Sequence, residues 1–267
     1  MQYIFMRVAV PVFGTALVAE SRALFAALFL VPAALLIGQR IGPLAHWKDH
    51  LGIGLLNNVL PFACFAYAAT ALPAGYLAIL NGTIPLWTAL FAAWLLDEPL
   101  GARRAAGFAL GLAGVALIVD LGPVEITALT LLATAAGLLG SACWAWAGII
   151  IKQRMGRVAP IGLAAGSIGF AAVLMAPFWA SVPQAAAWTL DATTSLVLLG
   201  LLCSGVAYLA FFTLVRDIGP SRTLSIGFMV PVLGVAWGWL LLDEAVTLPM
   251  LGGAALVLAA MALVLRR

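Results

Sequence analysis

Long apolar stretches dominate this chain, and charged residues, prolines and glycines interrupt them. A helix needs about 20 apolar residues to cross the hydrocarbon core of a bilayer. The apolar runs between the interruptions predict ten segments, at residues 2–12, 16–37, 51–71, 74–96, 104–119, 128–151, 160–180, 194–215, 221–242 and 248–265. All are predicted to be helices, because an isolated strand would leave its backbone groups unpaired in lipid.

The composition agrees with this pattern, since 65% of the 267 residues are hydrophobic and only 9% are charged. A soluble domain carries about 25% charged residues, so this chain has too few to cover a surface that faces water. The sequence therefore predicts an all-α, multi-pass membrane protein. We attribute the net charge of +3 to loops that face anionic membrane lipid, and we expect no nucleic-acid partner.

One stretch of the chain occurs twice. Leu95-Leu96-Asp97-Glu98 recurs 146 positions later as Leu241-Leu242-Asp243-Glu244, and Gly107 recurs in the same way as Gly253. However, Arg103-Arg104 becomes Pro249-Met250. Because cationic loops stay on the cytoplasmic side of a membrane, the second copy is predicted to be inverted. We expect two inverted five-helix repeats, at 1–120 and 128–267, as in transporters that hold a small-molecule substrate between their halves.

The distribution of Lys and Arg predicts the orientation. With both termini in the cytoplasm, the cytoplasmic side would hold Arg40, Lys48, Arg103, Arg104, Lys152, Arg154, Arg157, Arg216, Arg222, Arg266 and Arg267. Only Arg7 and Arg22 would lie elsewhere, so the positive-inside rule favours this orientation. The protein is then expected in a bacterial-type cytoplasmic (inner) membrane.

The first segment is too short to span a membrane. By its position it corresponds to the run from Ala128 to Ile151, with Arg7 in the place of Lys152. A full span would need roughly 15–20 more residues. We therefore expect Met1 to be an internal methionine of a longer natural protein, with Arg7 as a possible intramembrane charge.

Two amides near the middle of the third segment are the first candidates for a substrate site. Buried amides in hydrocarbon need partners, and Asn58 corresponds by the same offset to Ser204. Both lie near mid-span, where they could line a central cavity. The alternative is that they join neighbouring helices by hydrogen bonds, which is our preferred interpretation for Asn57.

Several other side chains are further candidates for substrate contact. Trp144 and Tyr208, and with them Tyr67 and Asn81, carry polar groups within apolar segments. Single aromatic residues in such helices more often pack or anchor the interface. Pro85 and Pro231, at equivalent positions, predict helix kinks that line the cavity. The alternative is a pair of kinks that serve helix packing without contact to a substrate.

The remaining charges are interpreted as structural. Pairing of Glu20 with Arg7 or Arg22 is one interpretation; extension of Glu20 and Arg22 to the outer interface is the preferred one. The acidic pairs that end in Glu98 and Glu244 are interpreted as turn elements near helix N-termini.

The chain offers no sequence support for a metal, a cofactor or an enzyme. Cys64, Cys143 and Cys203 lack the spacing of a metal site or a disulfide framework. His46 and His50 are expected in a cytoplasmic loop, and neither His-Glu-x-x-His nor Gly-x-Ser-x-Gly occurs.

Several parts of the chain resemble the EamA family of the drug/metabolite transporter superfamily. They are the stretch from Trp94 to Leu100 and the glycine-rich run Gly107–Val115, the second copy of both, and Trp144–Lys152. Asp97 and Asp243 stand where that family usually has glycine. The resemblance implies transport of amino acids, metabolites or drugs, often outward. It does not identify the substrate, the coupling ion or the oligomeric state. The expected function is export of a small organic solute. A lipid or lipid-intermediate flippase of the same fold is the alternative, and an intramembrane enzyme is a weaker one.

Overall fold

The computed structural model describes residues 1–38, 47–95, 101–121, 124–154, 160–181, 188–218, 227 and 229–265. Every regular element in these ranges is helical. The α-helices are α1 (Gln2–Leu36), α2 (Trp47–Ile53), α3 (Leu60–Ala68), α4 (Ala74–Asn81), α5 (Ile84–Leu95), α6 (Ala102–Leu121), α7 (Ala128–Arg154), α8 (Pro160–Met175), α9 (Leu190–Gly200), α10 (Ala207–Ile218), α11 (Met229–Leu242) and α12 (Leu248–Leu265). Two π-helices (Gly54–Val59 and Leu201–Val206) and a 3₁₀-helix (Ala176–Ser181) continue α2, α9 and α8.

Among the described residues, six helical stretches are long and apolar enough to cross a membrane. They are Gln2–Leu36, Trp47–Ala68, Ala74–Leu95, Ala128–Ile151, Ile161–Ala180 and Leu190–Phe211. Two shorter apolar helices follow, Met229–Leu242 and Leu248–Val264. Large side chains are exposed on these helices, with Leu28 at 61% and Trp94 at 68%. Such surfaces suit lipid and are unusual in water, so the fold is that of an all-α membrane protein.

A break at Gly14 divides α1. Gly14 has φ 77° and ψ 164°, a conformation that is essentially restricted to glycine. As a straight helix, the 35 residues of α1 would extend about 52 Å, well beyond a hydrocarbon core of about 30 Å. The break lies between the predicted segments 2–12 and 16–37. The side chains of Met6, Phe13 and Leu30 on either side of it have no exposed surface.

Helices α6 and α12 pack against each other in an antiparallel arrangement. The neighbours of Gly107 are Ala260 and Val264, and the neighbours of Gly253 are Gly114 and Ile118. These two sets of contacts correspond under the 146-residue offset, because 114 maps onto 260 and 118 onto 264. The sequence pattern that repeats along the chain therefore also repeats in the contacts between these two helices.

The prolines predicted as kinks lie in the first turns of helices. Helix α4 ends at Asn81, and Pro85 is the second residue of α5, where its missing N–H leaves no helical bond unmade. Pro231 is the third residue of α11, and its ring packs against Gly82 in the break between α4 and α5. The carbonyl of Leu80 at that break accepts hydrogen bonds from Thr83 Oγ1 (2.6 Å) and Ser141 Oγ (2.9 Å).

The expectation that His50 lies in a loop is wrong. His50 belongs to α2, is buried, and stacks on Phe170 of α8 with 6.1 Å between ring centroids. The acidic pair Asp97 and Glu98, and also His46, lie outside the described residues.

Candidate functional site

A proline distorts the helix that carries the two candidate amides. Pro61 cannot donate a hydrogen bond to the carbonyl four residues earlier, and its ring clashes with that carbonyl. The carbonyl belongs to Asn57, in the π-helix Gly54–Val59. It accepts a hydrogen bond of 2.8 Å from Trp144 Nε1 instead. Trp144 of α7 thus satisfies a backbone group that the helix has released, as a low-dielectric environment requires.

The second π-helix occupies the equivalent place. It spans Leu201–Val206 and contains Ser204, whereas the first contains Asn58. Both side chains are fully buried, with 0% exposure. Because π-helices are rare and frequently mark functional sites, two of them at equivalent positions indicate a functional site near Asn58 and Ser204.

Each π-helix is preceded or begun by a glycine in a tight helix contact. A β-carbon on Gly54 would lie 2.8 Å from the carbonyl oxygen of Ser167, and one on Gly200 would lie 3.1 Å from that of Ser21. Gly54 corresponds to Gly200 and Ser21 to Ser167 under the 146-residue offset. The same backbone-to-backbone contact is therefore made twice, with the roles of the two halves exchanged.

The side chains of the two π-helix regions meet in one hydrogen-bonded group. Tyr208 donates its hydroxyl to Asn58 Oδ1 at 3.0 Å, and Asn57 Nδ2 donates to the Tyr208 hydroxyl at 3.1 Å. Asn57 Nδ2 also lies 3.4 Å from Asn58 Oδ1. The two hydrogen bonds of Tyr208 join residues about 150 positions apart, so they connect the first half of the chain with the second.

Arg22 of α1 forms a second hydrogen-bonded group, with Ser204 and Gln2. Its Nε donates to Ser204 Oγ at 2.8 Å, and its Nη2 donates to Gln2 Oε1 at 2.7 Å. Its guanidinium carbon lies 3.9 Å from the centre of the Phe62 ring, a cation–π contact. Only 2% of Arg22 is exposed. The expectation that Arg22 extends to the interface is wrong, because its charge points into the protein and binds Ser204.

We call Gln2, Arg22, Asn57, Asn58, Ser204 and Tyr208 the central cluster. Two of its donors, Arg22 Nη1 and Asn58 Nδ2, are buried and have no hydrogen-bond partner among the described residues. Unpaired buried donors are unfavourable in a protein interior. Both of the unpaired polar groups in the central cluster are therefore hydrogen-bond donors.

Two of the other candidates lie outside this arrangement. Tyr67 and Asn81 are both partly buried, and within the described part of the chain neither side chain makes a hydrogen bond to the central cluster. The candidates that the structure brings together are Asn58, Ser204, Tyr208 and, through the Asn57 carbonyl, Trp144. Arg22 and Gln2 were missed, although Arg22 is a charge within an apolar run and was a signal for this role.

Arg7 has a different partner from the one expected. It lies 3.9 Å from the Glu244 carboxylate and donates to the carbonyl of Ala69 at 3.0 Å. The expected pairing of Glu20 with Arg7 or Arg22 is wrong, because neither makes an ion pair with it. Glu20 is itself buried at 1% exposure, so its predicted extension to the interface is also wrong.

Glu244 also caps a helix in the other half of the chain. Its carboxylate accepts from the backbone N–H groups of Ala74 (2.8 Å) and Gly75 (3.3 Å) at the start of α4. A carboxylate at this place satisfies free N–H groups and the positive end of the helix dipole. The turn role predicted for Glu244 is thus exerted on α4 rather than on the helix that follows it in sequence.

Within the described ranges, no group of three or more His, Cys, Asp and Glu side chains is arranged to hold a metal ion. The three cysteines are free thiols. The chemistry available at the central cluster is therefore hydrogen bonding and a single positive charge.

Comparison with known proteins identifies the family. The EamA-like transporter family matches residues 1–120 and 131–266 of this sequence. The chain belongs to the EamA-like transporter family. It is a multi-pass membrane protein with the transporter character of that family, and the sequence resemblance to the family is confirmed.

Relatives of known sequence support the assignment. The chain is 30% identical over 252 residues to the uncharacterized transporter YvbV of Bacillus subtilis, covering 93% of this chain and 81% of that protein. It is 27% identical over 241 residues to the inner membrane transporter YedA of Escherichia coli, also uncharacterized, covering 88% and 76%. It is 28% identical over 224 residues to a probable amino-acid metabolite efflux pump of Escherichia coli, covering 78% and 73%.

A solved crystal structure shares the fold of this EamA-like chain. The two superpose with a TM-score of 0.67, covering 98% of this chain and 93% of the other at 19% sequence identity. At that identity the similarity concerns the fold alone.

Proposed function

We propose that this protein is a secondary transporter that exports a small organic solute, such as an amino acid, another metabolite or a drug, by alternating access. In this proposal the chain forms ten spans as two inverted five-helix repeats, 1–120 and 128–267. It lies in the cytoplasmic membrane of a bacterium with both termini inside. The solute binds at the central cluster, and the protein acts as a transporter without a catalytic step of its own.

The exchanged contacts of Gly54 and Gly200 carry this proposal. Gly54 approaches the Ser167 carbonyl as Gly200 approaches the Ser21 carbonyl, which is what a twofold relation between the two halves requires. An inverted repeat has its pseudo-twofold axis in the membrane plane, and substrate sites of such transporters lie near that axis at the midplane. The α6–α12 contacts, which exchange in the same way, support the same relation.

The position of the polar groups supports a solute site rather than a structural role alone. Asn58 and Ser204 are equivalent and lie in the two π-helices, and each is buried and hydrogen-bonded, Asn58 to Tyr208 and Ser204 to Arg22. A polar solute at this depth needs such partners, because hydrocarbon offers none. Burial of Arg22, Asn58 and Ser204 among the helices favours a solute enclosed by protein over a lipid that moves along an open side, which a flippase would need.

A growth screen tests the function. Cells that overexpress the protein are exposed to toxic amino acid analogues and antimicrobial compounds, and the concentration that halves growth is compared with that of cells that express Asn58→Leu. We expect the wild type to raise tolerance to at least one compound and Asn58→Leu, present in the membrane at equal amount, to lose that protection. Equal tolerance in cells with wild type, Asn58→Leu and empty vector across the panel contradicts the proposal.

A further inference from the structure

The charge of the central cluster identifies the kind of solute that fits. Resting on the function proposed above, we infer that the site takes a monoanionic carboxylate without an ammonium group, and that Arg22 is its counter-charge. The unused donors Arg22 Nη1 and Asn58 Nδ2 are the groups that bind the carboxylate.

Arg22 is a buried cation with neutral partners. A guanidinium stays protonated in proteins. The partners that the Arg22 guanidinium has among the described residues are neutral: it bonds to the hydroxyl of Ser204 and the amide of Gln2, and it lies over the ring of Phe62. An isolated charge in the interior is strongly unfavourable unless it is paired. The site therefore lacks one negative charge, and an anionic solute would supply it.

The nearby carboxylates do not supply this charge. Glu244 caps α4 and lies beside Arg7. Glu20 is two residues before Arg22 on α1, so its side chain points about 200° away around the helix. No ion pair involving Arg22 occurs among the described residues, and the positive charge of the central cluster remains without a counter-ion from the protein.

The two unused donors belong to residues that neighbour the same side chain, Phe62. Phe62, which lies under the Arg22 guanidinium, follows Asn58 by four residues, so the two side chains are neighbours about one turn apart on one helix face. The two oxygens of a carboxylate match a guanidinium edge and an amide N–H group. A neutral solute would leave the charge of Arg22 unmatched, and a dianion would add an unmatched negative charge of its own.

An amino acid fits less well than the corresponding acid. Its ammonium group needs acceptors, and those nearest are already engaged: Asn58 Oδ1 accepts from Tyr208, and the Asn57 carbonyl accepts from Trp144. Within the described part of the cluster there is no carboxylate to balance an ammonium group. The site is therefore expected to prefer an organic acid over the amino acid of the same shape.

Two matched series of compounds test this inference on the purified full-length protein in nanodiscs. The aromatic series is 3-phenylpropanoate, phenylalanine and phenethylamine; the aliphatic series is 4-methylpentanoate, leucine and isopentylamine. Within each series the hydrocarbon side chain is shared, and the charge changes from negative to zwitterionic to positive; the amine lacks the carboxyl carbon of the other two compounds. We expect the acid in at least one series to bind roughly 10-fold or more tightly than its amino acid and amine, from one charge-assisted hydrogen bond.

Charge variants locate the effect. Arg22→Gln keeps a donor for Ser204 but removes the charge, and we expect it to weaken binding of the acid roughly 10- to 100-fold. Lys48→Gln removes an exposed cation and is the matched control, with unchanged binding. Asn58→Asp, which places a carboxylate beside Arg22, is expected to abolish the preference for the acid and serves if Arg22→Gln fails to fold.

The inference is overturned if neither acid binds, if an amino acid or amine binds as tightly as its acid, or if Asn58→Asp keeps the preference of the wild type. Transport of the same six compounds in proteoliposomes distinguishes failure of the carboxylate site from failure of the proposed transport function. Transport of amino acids or amines with no preference for acids would leave the transporter in place and refute the carboxylate site. Binding of an acid without movement of any compound would refute transport and leave the site.

Discussion

Glu244 joins the two halves of the protein through Ala74. Its Oε1 accepts a hydrogen bond of 2.8 Å from the Ala74 backbone N–H, 170 residues earlier in the chain. Gly75 adds a second bond to the same carboxylate, and Arg7 lies 3.9 Å from it. The end of the bundle that we propose faces outward is thus held by one acidic side chain that contacts α1 and α4.

The first prediction concerns this cap. Glu244→Ala leaves two backbone N–H groups of α4 without an acceptor and is expected to lower the free energy of unfolding by about 1–2 kcal/mol. Glu244→Gln keeps an acceptor oxygen and should lose less. Thermal unfolding of the detergent-solubilised protein measures both, with the exposed Glu125→Ala as control. A Glu244→Ala protein as stable as the Glu125→Ala control would show that the cap contributes nothing.

The second prediction concerns Asp243, which has a positive φ of 51°. Asp tolerates this left-handed conformation better than most residues, whereas a β-branched side chain does not. Asp243→Val is expected to destabilise the protein by about 1–2 kcal/mol, and Asp243→Gly to be neutral or stabilising. The order of the melting temperatures, Gly at or above Asp and both above Val, is the result to look for; any other order contradicts a left-handed residue here.

The third prediction concerns the break in α1. A β-carbon on Gly14 would meet no atom within 4 Å, so Gly14→Ala changes only the backbone preference, and we expect a cost of about 1–3 kcal/mol. Gly148→Ala in α7 is the matched control, because its added β-carbon also meets nothing within 4 Å and its φ is not positive. Thermal unfolding should show a loss for Gly14→Ala and none for Gly148→Ala. Equal behaviour would mean that α1 is not broken at Gly14.

The fourth prediction concerns Gly54 and Gly200, the two glycines at the starts of the π-helical regions. Gly54→Ala and Gly200→Ala each place a methyl group against a backbone carbonyl of α8 or α1, and backbone cannot move aside as a flexible side chain can. Both are expected to lower stability and transport, since each added methyl group meets atoms that cannot turn away: the Ser167 carbonyl at Gly54, and the Ser21 carbonyl and Phe25 Cβ at Gly200. Gly52→Ala, whose β-carbon would meet nothing within 4 Å, should have neither effect. A large effect of only one of the pair would argue against a twofold relation.

The fifth prediction concerns orientation. With the native cysteines replaced by alanine, a cysteine introduced between Asp120 and Glu125 should react with a membrane-impermeant thiol reagent in intact cells. A cysteine next to Arg157 should react only after the cells are permeabilised. The excess of Lys and Arg on the side of Arg157 is the reason for this expectation, and the reverse labelling pattern would contradict it.

Several features of the site follow from the sequence because they depend on local pattern or on the repeat. Asn58 and Ser204 stand out as equivalent polar residues within apolar runs, and the apolar runs themselves locate the helices. Pro61 is a further local signal, since a proline there releases the carbonyl of Asn57 from its helical hydrogen bond. Trp144 and Tyr208 were recognised only as polar tips, and their partners could not be derived from periodicity.

The features that sequence reasoning missed depend on distant contacts. Arg22 lies near the predicted end of a segment, where a long cationic side chain usually reaches water. Its burial arises because α1 packs between α8 and α9, and because Ser204, 182 residues away, accepts its hydrogen bond. The partner of Glu244 is likewise distant in sequence, since it is the first turn of α4 at Ala74 and Gly75. No local pattern predicts which of several helix ends a carboxylate will cap.

The measurement that tests the central claim most directly is solute exchange in proteoliposomes, with the compound that the growth screen identifies. Ser204→Ala removes the hydroxyl that accepts from Arg22, whereas Ser167→Ala removes a hydroxyl that bonds only within its own helix, at Ala164. We expect exchange by the wild type and by Ser167→Ala, and a roughly 5- to 100-fold loss of apparent affinity in Ser204→Ala, from about 1–3 kcal/mol for an interaction left unmade. Exchange by Ser204→Ala with the affinity of the wild type, at equal amounts of reconstituted protein, would contradict a solute site at the central cluster.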